Sequence, residues 1–107
     1  MKTKEYWQGK FSAARRKLAD EKRALQLNQD ELSLLQIQQA RELNPDAQSE
    51  LATKIQAKQA DVAAAQARVD AAQKELDDLQ KEFDDSGAPA DWSQTEPPPT
   101  EGQSLNP

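Results

Sequence analysis

RELNPDAQ, residues 41–48, holds the only proline before residue 89 and lies near the middle of the chain. Proline biases the residue before it away from helical backbone, yet suits the first position of a new helix. Asn44 is a good N-cap for such a helix, and Asp46 suits its positive end. The stretch therefore predicts a tight turn at 44–46, with one helix over 4–43 before it and another over roughly 45–85 after it.

The sequence on either side supports a reversal. Trp7, Phe11, Ala14, Leu18, Glu21, Leu25, Asn28, Leu32, Leu35 and Gln39 follow one another at alternating steps of four and three. Leu51, Ile55, Lys58, Val62, Ala65, Val69, Ala72, Leu76, Leu79 and Phe83 do the same. This is a heptad pattern in both arms. When the arms fold back at Asn44-Pro45, every seam residue meets the one whose number makes a total of 90 with its own. Trp7 meets Phe83, Phe11 meets Leu79, Leu18 meets Ala72, and Gln39 meets Leu51. One register satisfies all twenty positions. The expected fold is all-α, an antiparallel two-helix coiled-coil hairpin.

Polar residues interrupt the seam at Glu21, Asn28, Gln39 and Lys58. In a two-helix pair they read as register control or as long side chains reaching water. Arg68 lies within reach of Glu21. On the flanks Lys10 is expected to face Glu82 and Lys17 to face Glu75, while Glu31 opposes Asp61. Gln59, Gln66, Gln73 and Gln80 form an uncharged row, one per heptad, able to accept several partners.

Composition fits this fold and excludes much else. Of 107 residues, 31% are charged and 5% aromatic, too few apolar rings for a layered core but enough for a seam. With no Cys and no His, disulfides, thiolate nucleophiles and Cys/His zinc sites are absent. No run of about 18 apolar residues spans a membrane, and the N-terminus leads straight into amphipathic sequence without a leader pattern. The net charge of −5 argues against nucleic acid as a main partner. Arg15-Arg16-Lys17 with Lys22-Arg23 reads as salt-bridged surface, and Glu75, Asp78 and Glu82 read as a solvated face rather than a catalytic or calcium site. No catalytic, cofactor or metal motif emerges, so the chain is expected not to be an enzyme and to need no cofactor.

The ends differ in character. Three of the five aromatic residues fall in KEYWQGKF, residues 4–11. Ser86-Gly87-Ala88-Pro89 stops the second helix and allows Trp92 to fold back, so 86–93 is expected to be an aromatic capping segment. Tyr6, Trp7, Phe11, Phe83 and Trp92 then form a structural clasp at the open end, with Gly9 giving room for close approach. The alternative makes these rings a ligand site. Residues 94–107, acidic and proline-rich, are expected to be a disordered tail. Off the seam, Leu27, Leu34 and Ile37 line the outer side of the first helix and form a candidate partner surface, for another protein or for a second copy.

Tyr6-Trp7, Phe11 and the closing Gly87-Ala88-Pro89-Ala90-Asp91-Trp92 carry a resemblance. With the Leu/Gln/Lys/Glu-rich coiled coil between them, the chain resembles uncharacterised bacterial coiled-coil hairpin proteins and C-terminal domains with a Tyr-Trp…Phe start and a Gly-x-Pro-x-x-Trp end. That resemblance covers residues 4–93. It implies an envelope location, because such proteins often follow an export signal, and it implies no enzymatic activity. The absence of Cys is compatible with cytoplasm as well. The expected function is a protein-interaction or spacer module. An adaptor or chaperone-like hairpin gripping a client with its tip is the alternative, and peptide binding through the Pro-Pro-Pro tail is a third reading.

Overall fold

The structure, a computed structural model, describes residues 2–94. It is a helical hairpin of α1 (Lys4–Arg41) and α2 (Pro45–Ser86), closed by a short 3-10 helix at Ala90–Ser93. The expected all-α hairpin is what forms. The tail expected to be disordered lies outside the described residues beyond Gln94.

Each helix starts on a side-chain cap. The hydroxyl oxygen of Thr3 accepts from the Tyr6 N–H at 3.1 Å, a cap that the sequence reading missed. At the turn, Asn44 Oδ1 accepts from the N–H groups of Asp46 and Ala47 at 2.8 and 3.2 Å. These bonds satisfy donors that a helix start otherwise leaves open.

The turn is placed slightly earlier than the expected 44–46. α1 ends at Arg41 rather than 43, and Glu42, Leu43 and Asn44 form the link. The Pro45 ring would clash with the carbonyl four residues before it, which belongs to Arg41, so the helix cannot run through. Glu42 and Asn44 are extended instead. Three side chains then stitch the link. The Asn44 N–H donates to the Glu42 carboxylate at 3.2 Å, the Gln48 amide donates to the Glu42 carbonyl, and the Gln39 amide donates to the Gln48 carbonyl at 3.3 Å. Gln39 thus interrupts the seam in order to tie the two arms together. At the far end α2 runs one residue past the expected 85, to Ser86. Gly87 takes the left-handed conformation there, at φ 76°, which glycine adopts without a Cβ penalty.

The register is the one expected. Trp7 and Phe83 meet at 5.1 Å between ring centroids, and Leu18 packs with Ala72. All twenty seam residues are buried or half-buried. Burial is uneven along the seam. Two clusters of buried side chains, Trp7/Phe11/Phe83 and Leu18/Val69/Ala72, both lie in the open half. Nearer the turn, among the described residues, Ala65 and Ile55 are the buried side chains, and Asn28 and Lys58 occupy seam positions there. The long axis measures 65 Å, about 40 residues of helix at 1.5 Å each.

The turn supplies a direct test. Asn44→Ala removes the acceptor for two backbone donors and should lower stability by about 1 kcal/mol in urea unfolding.

Candidate functional site

The open end gathers the expected aromatic residues. α1 presents Trp7 and Phe11 one turn apart, and α2 presents Phe83 opposite them. Trp7 is 1% exposed and Phe11 is fully buried. Phe83 stands edge-on to both, at 5.1 and 5.5 Å, the arrangement that ring quadrupoles favour. Tyr6 meets Trp7 edge-on at 5.2 Å but remains partly exposed. Trp92 is half-buried and packs on the same cluster together with Ala88, Leu76 and Leu79.

Short-range bonds bring Trp92 back. Ser86 Oγ donates to the Phe83 carbonyl at 2.6 Å and accepts from the Ala88 N–H at 3.1 Å. The Trp92 N–H donates to the Pro89 carbonyl at 3.0 Å. The Gln8 amide reaches the Gln94 carbonyl at 3.5 Å, joining the returning stretch of chain to α1. Gly9 has no part in this. A Cβ built on it meets nothing within 4 Å, so the expected close approach at Gly9 does not occur.

Cations surround the rings. Lys2 lies 5.4 Å from the Tyr6 ring and 5.6 Å from Trp7, and Lys10 lies 5.7 Å from Tyr6. Arg15 lies 5.1 Å from Phe11. Lys10 therefore turns to Tyr6 rather than to Glu82, and it is Lys2 that reaches Glu82, at 3.7 Å. A shallow recess between Lys2, Trp7, Gly87, Pro89 and Trp92 remains at this end. Of its two aromatic side chains, Trp7 is engaged with Tyr6, Phe11 and Phe83 and Trp92 packs on that cluster, and among the described residues Lys2 is its one charged lining group.

The polar seam residues each find a partner. Arg68 meets Glu21 at 3.3 Å, and Lys17 meets Glu75 at 3.1 Å. Lys58 resolves the Glu31–Asp61 opposition by standing between them, 2.7 Å from Glu31 and 3.6 Å from Asp61. It also donates to Asn28 Oδ1 at 3.3 Å, while Asn28 donates to the Ala24 carbonyl. The hydrogen bond to Glu31 is the main reason that the Lys58 ammonium is held above the ordinary lysine value of 10.5. Burial pulls the other way, and the charges of Glu31 and then Asp61 add to the rise. Three of the four glutamines in the row Gln59, Gln66, Gln73 and Gln80 are already occupied. Gln66, Gln73 and Gln80 each donate to the aspartate four residues on, Asp70, Asp77 and Asp84, the helical spacing at which such pairs meet. Among the carboxylates read as a solvated face, Glu75 goes to Lys17, Asp78 to Lys74 and Glu82 to Lys2.

The outer stripe is exposed. Leu27 and Leu34 are each 59% accessible and Ile37 is 47%. Leu43, which sequence reasoning passed over because it assigned that residue to α1, stands in the turn at 91%. The signal that could have found it is Pro45, whose ring denies helix to the residues just before it. Among the described residues no helix is long and apolar enough to cross a membrane. No family model, curated protein or solved structure matches the chain.

Two measurements probe this geometry. Trp92→Ala should speed amide exchange over residues 4–11 by about tenfold, since a half-buried Trp seals that end. Unchanged protection would mean that Trp92 contributes nothing to the closure. The Lys58 bridge is complete below pH 10.5 and is lost as pH rises through the raised value. Lys58→Met should therefore show a flatter fall in thermal midpoint as pH rises above 10.5 than the wild-type chain.

Proposed function

We propose that this chain is a non-enzymatic interaction hairpin, a rigid helical strut that presents a contact surface on the half nearest its turn. The observation that carries this reading is the exposed stripe of Leu27, Leu34 and Ile37. Neighbouring exposed apolar side chains on one helix face mark a partner surface more often than scattered ones do. The stripe lies behind the stretch of seam where Asn28 and Lys58 dilute the apolar contacts, so the two halves of the hairpin differ in what they bury. The open half closes on its own aromatic clasp. The turn half leaves apolar surface for something else. The resemblance noted above adds an envelope setting to this proposal, with a protein rather than nucleic acid as the partner.

A second reading, the adaptor whose tip grips a client, draws support from Leu43. This side chain is 91% exposed on a link held by bonds among Gln39, Glu42, Asn44 and Gln48. A fixed apolar point of this kind suits insertion into a partner's pocket.

The two readings separate in one experiment. The wild-type hairpin, a Leu27→Ser/Leu34→Ser/Ile37→Ser variant and a Leu43→Ser variant are immobilised in extract of the native host. The stripe variant should lose the specifically bound protein while its helicity stays unchanged. Loss in the Leu43 variant alone would transfer the function to the tip. Full retention by both would remove the interaction reading of this half.

A further inference from the structure

The stripe on α1 is longer than its three apolar residues. Asp20, Arg23, Leu27, Asp30, Leu34, Ile37 and Arg41 follow one another at steps of three and four. They form a second heptad seam on the outside of α1, roughly 155° around the helix from the first. All of them are exposed. Asp20 and Arg23 pair with each other, and Asp30 accepts from Gln26 four residues before it. The Arg41 side chain has no hydrogen bond or ion pair among the described residues.

This order of residues is self-complementary in one direction and one register. If two copies lay parallel about a two-fold axis, each residue would face itself. Asp30 would oppose Asp30, and Arg41 would oppose Arg41. If they lie antiparallel, residues whose numbers share a constant total face one another. A total of 64 sets Arg23 against Arg41 and buries Asp30 against Leu34. A total of 57 sets Arg16 against Arg41 and Asp20 against Ile37. A total of 71 sets Leu34 against Ile37 twice and Asp30 against Arg41 twice. It also brings Leu27 level with the partner copy's turn, where Leu43 stands exposed. The flanks agree, with Ser33 opposite Ala40 and Glu31 opposite Gln38, and neither pair sets like charges together.

We propose that two copies of this hairpin pair antiparallel through the outer face of α1, overlapping from about residue 27 to the turn, with Leu34 on Ile37 and Asp30 on Arg41 across a two-fold axis. Opposite patches on one self-complementary surface are what an isologous interface requires. Because the second seam lies almost opposite the first, the four helices stand in a flat row, α2–α1–α1–α2, rather than in a square bundle. The overlap covers about 15 residues of each α1 helix, which places the contact in the small, reversible class of interfaces. This proposal rests on the interaction reading given above and names a second copy as the occupant.

The test uses charge exchange. Asp30→Arg and Arg41→Asp are exposed changes that leave the hairpin seam untouched, which circular dichroism checks. Sedimentation up to about 1 mM, where weak association becomes visible, should show the wild-type chain dimerising. Each single variant should dimerise about tenfold more weakly, because two attractive pairs become two repulsive ones. An equimolar mixture of the two variants should recover wild-type association. In the mixed dimer the arginine introduced at position 30 of one variant meets the aspartate introduced at position 41 of the other, and the unaltered Arg41 of the first meets the unaltered Asp30 of the second. A wild-type chain that stays monomeric to 1 mM overturns the second copy as occupant, while the stripe variant's loss of a host protein would still uphold the interaction reading. Dimers that ignore the charge exchanges, or a mixture without recovery, overturn the face or the register.

Discussion

The reversal at Asn44-Pro45 is the constraint from which the rest of this structure follows. Proline denies the helix its continuation, and Asn44 accepts the donors of the next one. Once the chain must turn there, the length of the link fixes which residue of α1 faces which residue of α2. A slip by a single step would move large side chains off the seam and carry charged ones onto it. The bonds from Gln39, Glu42 and Gln48 hold the link at that length. The turn is thus a register device as much as a connection.

The two ends of the hairpin solve different problems. Far from the turn nothing covalent holds the helices together, and free helix ends fray. The aromatic residues are concentrated there, with Trp7, Phe11 and Phe83 buried between the helices and Trp92 folded back upon them. Near the turn the covalent link does that work, so the seam tolerates Asn28 and Lys58 and exploits them. Lys58 draws Glu31 and Asp61 together across the helices and turns a repulsive flank into a bridge. The apolar side chains of this half are shared between the inner seam and the outer stripe. That division supports the view of one end as closure and the other as contact surface.

Much of this was legible in the sequence because coiled coils are nearly one-dimensional. A period of 3.5 residues and one break locate every seam position, and those residues are indeed buried or half-buried. Side chains with several reachable partners were less legible. Lys10 lies near both Glu82 and the Tyr6 ring in the hairpin register, and the structure gives it to Tyr6 while Lys2 takes Glu82. The glutamine row looked available because Gln has no charge to neutralise, yet an aspartate four residues after Gln66, Gln73 and Gln80 engages each one. Gly9 looked like an opening for a neighbour and faces none. Leu43 looked helical until the Pro45 ring was weighed against the Arg41 carbonyl.

The sequence by itself determined the fold class, the position of the reversal, the register, and which residues face inward. It could do so because those properties depend on periodicity and on the stereochemistry of one proline. Only the tertiary structure decided which cation meets which anion or ring, how far Trp92 returns onto the clasp, and that burial is concentrated in the open half. These depend on distances of a few ångströms between long side chains and on how closely two helices approach, and no linear pattern encodes them.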